Sequence, residues 1–404
     1  MKYPIHIFYG PKLSSLPQNS ILQYIQPFMN IMTNRPITGE VEGLEGVLLD
    51  FNAGLRLQIP KGNWHVKICD GSSGTVFFDS DVSEILLISA EKFFVAWEIT
   101  LSLDENVVFF HRFSAAGQRV HFNFLSGGMG DHIVLFPHME QFRRLHDCEA
   151  FCSVAPYLKE LIEINFPEIQ LYDDKMQDDM YATYYLAPSF NPVVMSEEIR
   201  TMPMEHFGNE LLGTHLVQKR VYRPTEQRQI QEPYVCIAVQ TSGTFKSWLN
   251  PNGWNDVVRY LKQLGYRVLC IDRNKEETDH GNVIHMPKEA EDFTGNLPLS
   301  QRVNLLAYAD FFIGLPSGLS WLAWATDIPV ILISGITAPW YEFSNPYRVV
   351  NRLVCHGCHN NTHIPWPDYE TCPYHKDSSR AYECSKQISA QQVIEMIDLI
   401  RTNT

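Results

Sequence analysis

The stretch VHFNFLSGGMGDHIVLFPHM, residues 120–139, decides the fold class of this chain. It opens with an apolar run typical of a buried strand, and the apolar spacing of residues 132–146 is typical of a helix. Between the two lies the glycine-rich turn SGGMGD. A strand, a glycine turn and a helix in this order open a doubly wound nucleotide-binding fold. The sequence therefore predicts an α/β domain that begins near Arg119.

The C-terminal half of the chain repeats this alternation. The runs YVCIAVQTS, WNDVVRYLKQLG and YRVLCID predict a strand, a helix and a strand over residues 234–272. The alternation continues through NVIHM and on to IPVILIS at residues 328–334. A polar, proline-bounded stretch over residues 218–233 separates the two halves as a linker would. We therefore expect a second doubly wound domain, and ligands of such folds bind beyond the carboxyl ends of the strands.

The segments that flank this α/β core have a different character. Short apolar runs from EGVLLDF to NVVFFHRF, separated by Gly, Asp, Ser and Pro, predict a small all-β domain at the N-terminus. A cysteine-rich segment and the amphipathic run ISAQQVIEMIDLIRT close the chain. The predicted division is 1–116 for the β-rich domain, 117–220 for the first α/β domain, 221–347 for the second, and 348–404 for the cysteine segment with its closing helix.

Composition and charge exclude several classes of protein. A formal net charge of −14 argues against a general nucleic-acid binder, because such proteins neutralise phosphates with clustered Lys and Arg. No stretch approaches the roughly 20 uninterrupted apolar residues that a membrane helix needs. The N-terminal residues MKYPIHIFYGPKLSSLP lack the apolar core of a secretory signal. We therefore expect a cytoplasmic protein without a membrane span.

Four of the nine cysteines form a cluster in the sequence: Cys355, Cys358, Cys372 and Cys384. A C-x2-C turn directs two thiolates at one tetrahedral centre, and two later cysteines complete four ligands. Zinc is the usual metal of a closed thiolate site and iron is also permitted, whereas two disulfides or free thiols are the alternatives. A closed site has no open coordination position, so we expect a role in folding or assembly and no catalytic metal.

The glycine turn carries the first candidate functional group. Gly128, Met129 and Gly130 permit a tight turn with close approach of a ligand, and Asp131 stands at the start of the helix. An acid there would repel a diphosphate, so the carboxylate more plausibly faces a hydroxyl that it deprotonates. The alternative is a helix cap, which is a common position for Asp.

Two further motifs follow predicted strands of the second domain. In QTSGTFKSW, residues 240–248, hydroxyls and a lysine can bind a diphosphate, and the lysine can replace a divalent cation there. In GLPSGLSW, residues 314–321, free amides at a helix start make an anion site. The alternatives are a solvated loop lysine and a plain strand-to-helix turn. The candidate residues are Thr241, Ser242, Lys246, Ser317, Gly318, Leu319 and Ser320.

Taken together, these three motifs resemble those of the heptosyltransferases of glycosyltransferase family 9. The resemblance implies the GT-B fold, with two Rossmann-like domains. It also implies that Asp131 is the catalytic base, that Lys246 and its neighbouring hydroxyls contact the diphosphate, and that the turn at Gly318 donates amides to the phosphates. Pro316 and Trp321 depart from the pattern, because the family usually has an acid and a histidine there.

The flanking segments narrow the resemblance to the bacterial autotransporter heptosyltransferases. That subfamily moves heptose from ADP-heptose to serine hydroxyls of adhesin passenger domains, with inversion. The resemblance implies a structural iron on the four cysteines and assembly of a homo-oligomeric ring, a dodecamer. Two alternatives remain open: a lipopolysaccharide-core heptosyltransferase, and a non-catalytic nucleotide-binding scaffold. A zinc protein that binds nucleic acid is disfavoured by charge.

Overall fold

The computed structural model describes residues 7–10, 36–89, 91–124, 127–173, 180–186, 197–215, 218–279, 282–365 and 368–403. Ser126 of the first motif lies outside these residues. The chain divides into two compact units: unit 1 comprises Met1–Ser126, Leu135–Ile199 and His206–Val217, and unit 2 comprises Gly127–Val134, Arg200–Glu205 and Gln218–Thr404. Within the described ranges, no helix combines the length and the apolar character needed to cross a membrane.

The secondary structure alternates between strands and helices after a long run of strands. The strands are β1 (Ile7–Gly10), β2 (Leu48–Asn52), β3 (Arg56–Ile59), β4 (Trp64–Asp70), β5 (Val76–Val82), β6 (Ile85–Ser89), β7 (Trp97–Leu103), β8 (Asn106–Arg112), β9 (Arg119–Asn123), β10 (Glu149–Ser153), β11 (Ile169–Leu171), β12 (Ala182–Tyr185), β13 (Tyr234–Ile237), β14 (Arg267–Cys270), β15 (Glu276–Asp279), β16 (Asn282–His285), β17 (Glu291–Asp292), β18 (Phe312–Gly314), β19 (Val330–Ile333) and β20 (Arg348–Val349). The α-helices are α1 (Met129–His146), α2 (Lys159–Asn165), α3 (Phe207–Leu212), α4 (Gly253–Gln263), α5 (Leu299–Leu306), α6 (Gly318–Ala325), α7 (Glu383–Lys386) and α8 (Ala390–Asn403).

Unit 1 contains a mixed sheet of eight strands in the order β1-β6-β3-β2-β12-β9-β10-β11. The pairs from β2 through β12, β9 and β10 to β11 are parallel, and the pairs on the β1 side are antiparallel. Where β2 and β3 pair, Asp50 lies opposite Arg56 and forms a buried ion pair with it. Each buried charge therefore has its counter-charge, which offsets the cost of removing both from water.

The second sheet of unit 1 is antiparallel and has four strands in the order β5-β4-β7-β8. Along β4, buried Trp64, Val66 and Ile68 alternate with more exposed residues, which is the period of a strand covered on one face. Every strand predicted between residues 45 and 113 is present, so those predictions are confirmed. These strands are shared between two sheets, however: β2, β3 and β6 belong to the eight-stranded sheet, whereas β4, β5, β7 and β8 form the four-stranded antiparallel sheet.

The sheet of unit 2 is parallel throughout, in the order β17-β14-β13-β18-β19-β20. Numbered along the chain within this sheet, the order is third, second, first, fourth, fifth, sixth, which is that of the Rossmann fold. The alternation predicted for this half of the chain is thus confirmed. The prediction for one segment was wrong: the strand in NVIHM, β16, does not belong to this sheet and pairs with β15 in a separate antiparallel hairpin. Its partner EETD is strongly acidic and Val283 is 44% exposed, so this hairpin lies at the surface.

The strand order determines where a ligand can bind in unit 2. From β13 the chain adds strands towards one edge of the sheet, and from β18 it adds them towards the other edge. Ligands of such sheets bind beyond the carboxyl ends of the strands at this switch point. The motif with Lys246 follows β13, and the motif with Gly318 follows β18. Both motifs of the second half therefore lie where the fold predicts a ligand.

Candidate active site and metal centre

Asp131 lies in the first turn of α1, where it acts as a helix cap. Its Oδ2 accepts a hydrogen bond of 2.7 Å from the backbone N–H of Gly128, the residue before the helix. This is the geometry of a capping box, in which an acid three residues into the helix satisfies the amide at its start. The cap interpretation is therefore supported, and the bond also holds the carboxylate in one orientation.

The surroundings of Asp131 alter its acidity. Burial raises the pKa of the Asp131 carboxyl above its ordinary value, because a desolvated carboxylate is disfavoured. The Gly128 amide and the Lys246 ammonium act in the opposite direction, and burial outweighs them. Asp131 is consequently a stronger base than an exposed aspartate, and Lys246 lies within electrostatic reach of it.

The lysine motif forms a loop after β13 with a single 3₁₀ turn over Thr244–Lys246. The Lys246 ammonium donates a hydrogen bond of 3.3 Å to Ser242 Oγ, and the Thr241 hydroxyl donates one of 2.8 Å to the carbonyl of Gly243. Hydroxyls and an ammonium thus meet on a short loop at the switch point. Together they can bind the oxygens of a diphosphate.

The third motif supplies the start of α6. Ser317 is the residue before the helix, and within the described part of the chain its buried Oγ has no hydrogen-bond partner. The amides of the first turn, including those of Gly318 and Leu319, have no acceptor within a helix. Ser320 differs, because its hydroxyl donates to the carbonyl of Leu315 at 2.6 Å and stabilises the turn. An unpaired hydroxyl beside free amides is suited to an anionic ligand.

The first turns of α1 and α6 are in close contact. A Cβ atom on Gly130 would lie 2.5 Å from Cδ1 of Trp321, and a Cβ on Gly318 would lie 2.6 Å from Cβ of Met129. Trp321, which departs from the family pattern, is buried and packs edge-on against Trp324 and Phe343. Its indole therefore supports the helix start that carries Asp131.

His359, which lies outside the three motifs, is within electrostatic reach of both Lys246 and Arg200. Burial, followed by the charges of Lys246 and Arg200, lowers the pKa of His359 to about 3, so its imidazole is neutral. Arg200 donates a hydrogen bond of 2.6 Å to the carbonyl of Ile364. Sequence reasoning did not connect either residue with the lysine motif, because both lie far along the chain from Lys246.

Asp272 was also missed, although its position carried a signal. It follows β14 and accepts hydrogen bonds from the amides of Val239 and Gln240, at 2.8 and 3.2 Å, which fixes the start of the loop that carries Lys246. Burial raises the pKa of Asp272 to about 6. An acid after the second strand of a Rossmann sheet commonly contacts the ligand, whereas here it binds the neighbouring loop.

The four clustered cysteines lie near one another. All nine cysteines of the chain are unpaired, so the disulfide alternative is not found. Burial, followed by like-charge repulsion from the three other thiols of the cluster, raises the pKa of Cys384 to about 12. The backbone N–H of Tyr382 donates to Cys372 Sγ at 3.2 Å, an arrangement that stabilises a thiolate. The donor set therefore fits a thiophilic cation.

A second group of possible ligands overlaps this cluster. One ligand atom from each of Cys355, His375 and Glu383 lies within 4.8 Å of the others. Both carboxylate oxygens of Glu383, however, accept hydrogen bonds from Arg380, at 2.8 and 2.6 Å. A carboxylate that accepts these hydrogen bonds keeps lone pairs for a cation, so this group and the four thiols are two candidate donor sets.

The chain matches two family models. Residues 208–364 match glycosyltransferase family 9 (heptosyltransferase). Residues 43–104 match the N-terminal domain of glycosyltransferase TibC, a span that includes most strands of the N-terminal β region. The fold and these matches define the class of protein as a glycosyltransferase with a mixed α/β fold and an N-terminal β domain.

Curated relatives cover most of the chain. It is 41% identical over 364 residues to the autotransporter heptosyltransferase Aah of Escherichia coli, covering 87% of this chain and 92% of Aah. It is 38% identical over 372 residues to TibC of enterotoxigenic E. coli, covering 90% and 92%. A third relative, BimC of Burkholderia thailandensis, is 31% identical over 368 residues, covering 87% of this chain and 85% of BimC. Its name describes it as an inactive autotransporter heptosyltransferase.

The solved structures of TibC agree with this relationship. The crystal structure described as the iron-containing dodecameric glycosyltransferase TibC has a TM-score of 0.85 at 37% identity, covering 91% of this chain and 99% of TibC. TibC in complex with ADP-D-beta-D-heptose has a TM-score of 0.86 at the same identity and coverage. This chain belongs to the autotransporter heptosyltransferases of glycosyltransferase family 9.

The contact between α1 and α6 can be tested with two glycines of one motif. Gly130→Ala should lower the thermal midpoint by a few degrees, because overpacking against Trp321 costs about 1–3 kcal/mol. Gly128→Ala is the control, since its Cβ would meet only Asp131 Oδ2, at 3.7 Å. Differential scanning calorimetry measures both. Equal midpoints for the two variants would show that the helix starts are not tightly packed.

Proposed function

We propose that this chain transfers heptose from ADP-heptose to serine hydroxyls of an autotransporter adhesin passenger domain, in the cytoplasm and with inversion at the anomeric carbon. One observation carries the proposal: the Asp131 carboxylate is within electrostatic reach of the Lys246 ammonium. The donor is supported by the ADP-heptose complex of TibC, and the acceptor by the family to which the chain belongs.

In the proposed reaction Asp131 is the general base. The serine oxygen forms a bond to the anomeric carbon while the bond from that carbon to the diphosphate breaks, and Asp131 accepts the serine proton. A single displacement of this kind inverts the anomeric configuration. The elevated pKa of Asp131 suits the role, since a base is most effective when its pKa approaches the working pH.

The leaving ADP gains negative charge as the bond breaks. We assign its stabilisation to Lys246, with hydroxyls of Thr241 and Ser242, and to the first-turn amides of α6. The unpaired Ser317 hydroxyl supports this assignment, because a buried donor without a partner costs free energy unless a ligand satisfies it. Lysine and amides supply positive charge, so this mechanism needs no catalytic metal. The turn of Gly128, Met129 and Gly130, with Leu319 and Ser320, completes the proposed substrate-binding residues.

For the cysteine segment we propose a structural iron held by Cys355, Cys358, Cys372 and Cys384, with zinc as the alternative. The C-x2-C spacing, the clustered thiols and the iron named for TibC support it. A bound cation would cross-link a short segment and neutralise its thiolates. By the same relationship we propose a dodecamer, and we retain the four-part domain division at residues 116, 220 and 347.

The acceptor is tested by intact mass. An adhesin passenger co-expressed with this chain should gain mass in steps of one heptose, and peptide mapping should find the sugar on serine. Asp131→Asn should reduce the gain by at least about 10²-fold. Asp147→Asn is the control, because this exposed acid has a positive φ of 50° that asparagine also adopts.

The alternatives give distinct results in this assay. Transfer to a lipopolysaccharide-core sugar with no gain on the passenger would identify the lipid-core enzyme instead. Absence of transfer to either acceptor would place the chain with BimC as a non-catalytic protein. Unchanged transfer by Asp131→Asn would remove the carboxylate from the mechanism.

The pairing of Asp131 with Lys246 predicts a shift in pH dependence. The base must be charged to accept a proton, so kcat/KM should rise with pH through the pKa of Asp131. Lys246 lowers that pKa, and Lys246→Met should therefore move the acidic limb to higher pH. Lys246→Arg keeps the charge and should leave the limb in place. If the acidic limbs of kcat/KM for Lys246→Met and Lys246→Arg coincide, the electrostatic pairing of Asp131 with Lys246 is contradicted.

Metal analysis distinguishes the two sets of possible ligands. The purified protein should contain one metal ion per chain, and Cys358→Ser should lose it. His375→Ala should retain it, because the four thiols do not include His375. Cys236→Ala is the control, as this buried cysteine lies outside the cluster. Loss of metal from His375→Ala would favour the set of Cys355, His375 and Glu383.

A further inference from the structure

The loop that carries Lys246, residues 240–250, is here named the lysine loop, and it has little structure of its own. Its only helical element is the 3₁₀ turn over Thr244–Lys246. The position of the ammonium therefore depends on the groups to which the loop is bonded. At the start of the loop, the Asp272 carboxylate accepts hydrogen bonds from the backbone N–H groups of Val239 and Gln240.

At its end, the lysine loop is bonded to Ser385. The Ser385 hydroxyl accepts a hydrogen bond of 2.7 Å from the amide of Leu249 and donates one of 2.5 Å to the carbonyl of Ser247. The side chain is buried, with the residue 4% exposed. One hydroxyl thus satisfies both a donor and an acceptor of the loop, directly after Lys246.

Neighbouring contacts hold the same end of the loop. Trp248 Nε1 donates to the carbonyl of Ile388 at 2.9 Å, and the Trp248 ring is so close to Gly253 that a Cβ there would lie 2.4 Å from it. Asn250 Nδ2 also donates to the Ile388 carbonyl, at 3.1 Å. The partners of the loop at this end therefore come from α7 and the residues that follow it.

The position of Ser385 is in turn set by the cysteine segment. Ser385 follows Cys384 in α7, and the backbone of Cys384 contacts Gly335 so closely that a Cβ on that glycine would lie 2.5 Å from the Cys384 carbonyl oxygen. The carbonyl of Gly335 also accepts a hydrogen bond of 2.9 Å from the backbone N–H of Gly357. Contacts of α7 and of the Cys355–Cys358 turn thus meet at one glycine.

We propose that Ser385 is a positioning residue for Lys246: its buried hydroxyl transmits the position of the cysteine segment to the lysine loop and thereby sets the affinity for the donor diphosphate. This inference rests on the role proposed above for Lys246. It gives the cysteine segment an indirect part in donor binding. A displacement of the ammonium by about 1 Å is enough to weaken such contacts substantially.

The test is Ser385→Ala in the full-length protein. The affinity for ADP, measured by calorimetry, should fall about tenfold, because loss of both hydrogen bonds of the Ser385 hydroxyl releases the end of the loop and displaces Lys246. The KM for the donor should rise by a similar factor with a smaller change in kcat. The acidic limb of kcat/KM should move to higher pH, towards that of Lys246→Met. Ser385→Thr keeps the hydroxyl and should restore ADP affinity.

Ser378→Ala is the matched control. This serine lies in the same segment and is exposed; its hydroxyl donates to the carbonyl of His375 at 2.9 Å and accepts from the backbone N–H of Arg380 at 3.3 Å, so both partners lie outside the lysine loop. Metal content should be unchanged in both variants. The proposal would be overturned by wild-type ADP affinity in Ser385→Ala, by equal weakening in Ser378→Ala, or by loss of metal together with ADP affinity.

Lys246→Met separates this inference from the proposed function. If that variant binds ADP as the wild type does, the role assigned to the lysine is wrong and the inference falls with it. If Lys246→Met weakens ADP binding while Ser385→Ala does not, only the inference fails. Weakening in both variants, with a wild-type metal content, supports the two together.

Discussion

Close packing between two helix starts is the constraint on which the candidate site depends. The first turns of α1 and α6 approach so closely that Gly130 and Gly318 leave no room for a Cβ against Trp321 and Met129. A carboxylate cap and a set of free amides are thereby brought together from distant parts of the sequence. Because interiors are close-packed, this arrangement is held by shape as well as by hydrogen bonds.

Electrostatics at this site results from opposing effects. Burial raises the pKa of Asp131 and makes it a stronger base, whereas the charge of the Lys246 ammonium lowers that pKa. Burial and the charges of Lys246 and Arg200 lower the pKa of His359, so its imidazole is neutral. The charge around Lys246 therefore does not vary with protonation of this histidine in the physiological range.

The cysteine segment is bonded to the rest of unit 2 through backbone contacts and several side chains, among them Arg200, Trp248 and Ser385. Within this segment, both carboxylate oxygens of Glu383 accept hydrogen bonds from Arg380. Ser385 then joins α7 to the lysine loop. A segment that buries little apolar surface gains much of its stability from such cross-links, so its geometry and that of the lysine loop are expected to depend on each other.

The amino-acid sequence by itself determined the elements that local patterns encode. The strands between residues 45 and 113, the helix after the glycine turn and the α/β alternation of the second half all follow from periodicity and turn residues. The three motifs also identified the family. Tertiary structure alone decided how the N-terminal strands are shared between two sheets, and that NVIHM forms a surface hairpin.

Tertiary structure also decided the partners of individual side chains. Trp321 supports Gly130, Asp272 binds the start of the lysine loop, and Ser385 binds its end. None of these contacts has a local signature, since each joins residues at least 32 positions apart. Short-range periodicity reports which face of an element is buried, whereas the identity of the group it meets depends on packing of the whole unit.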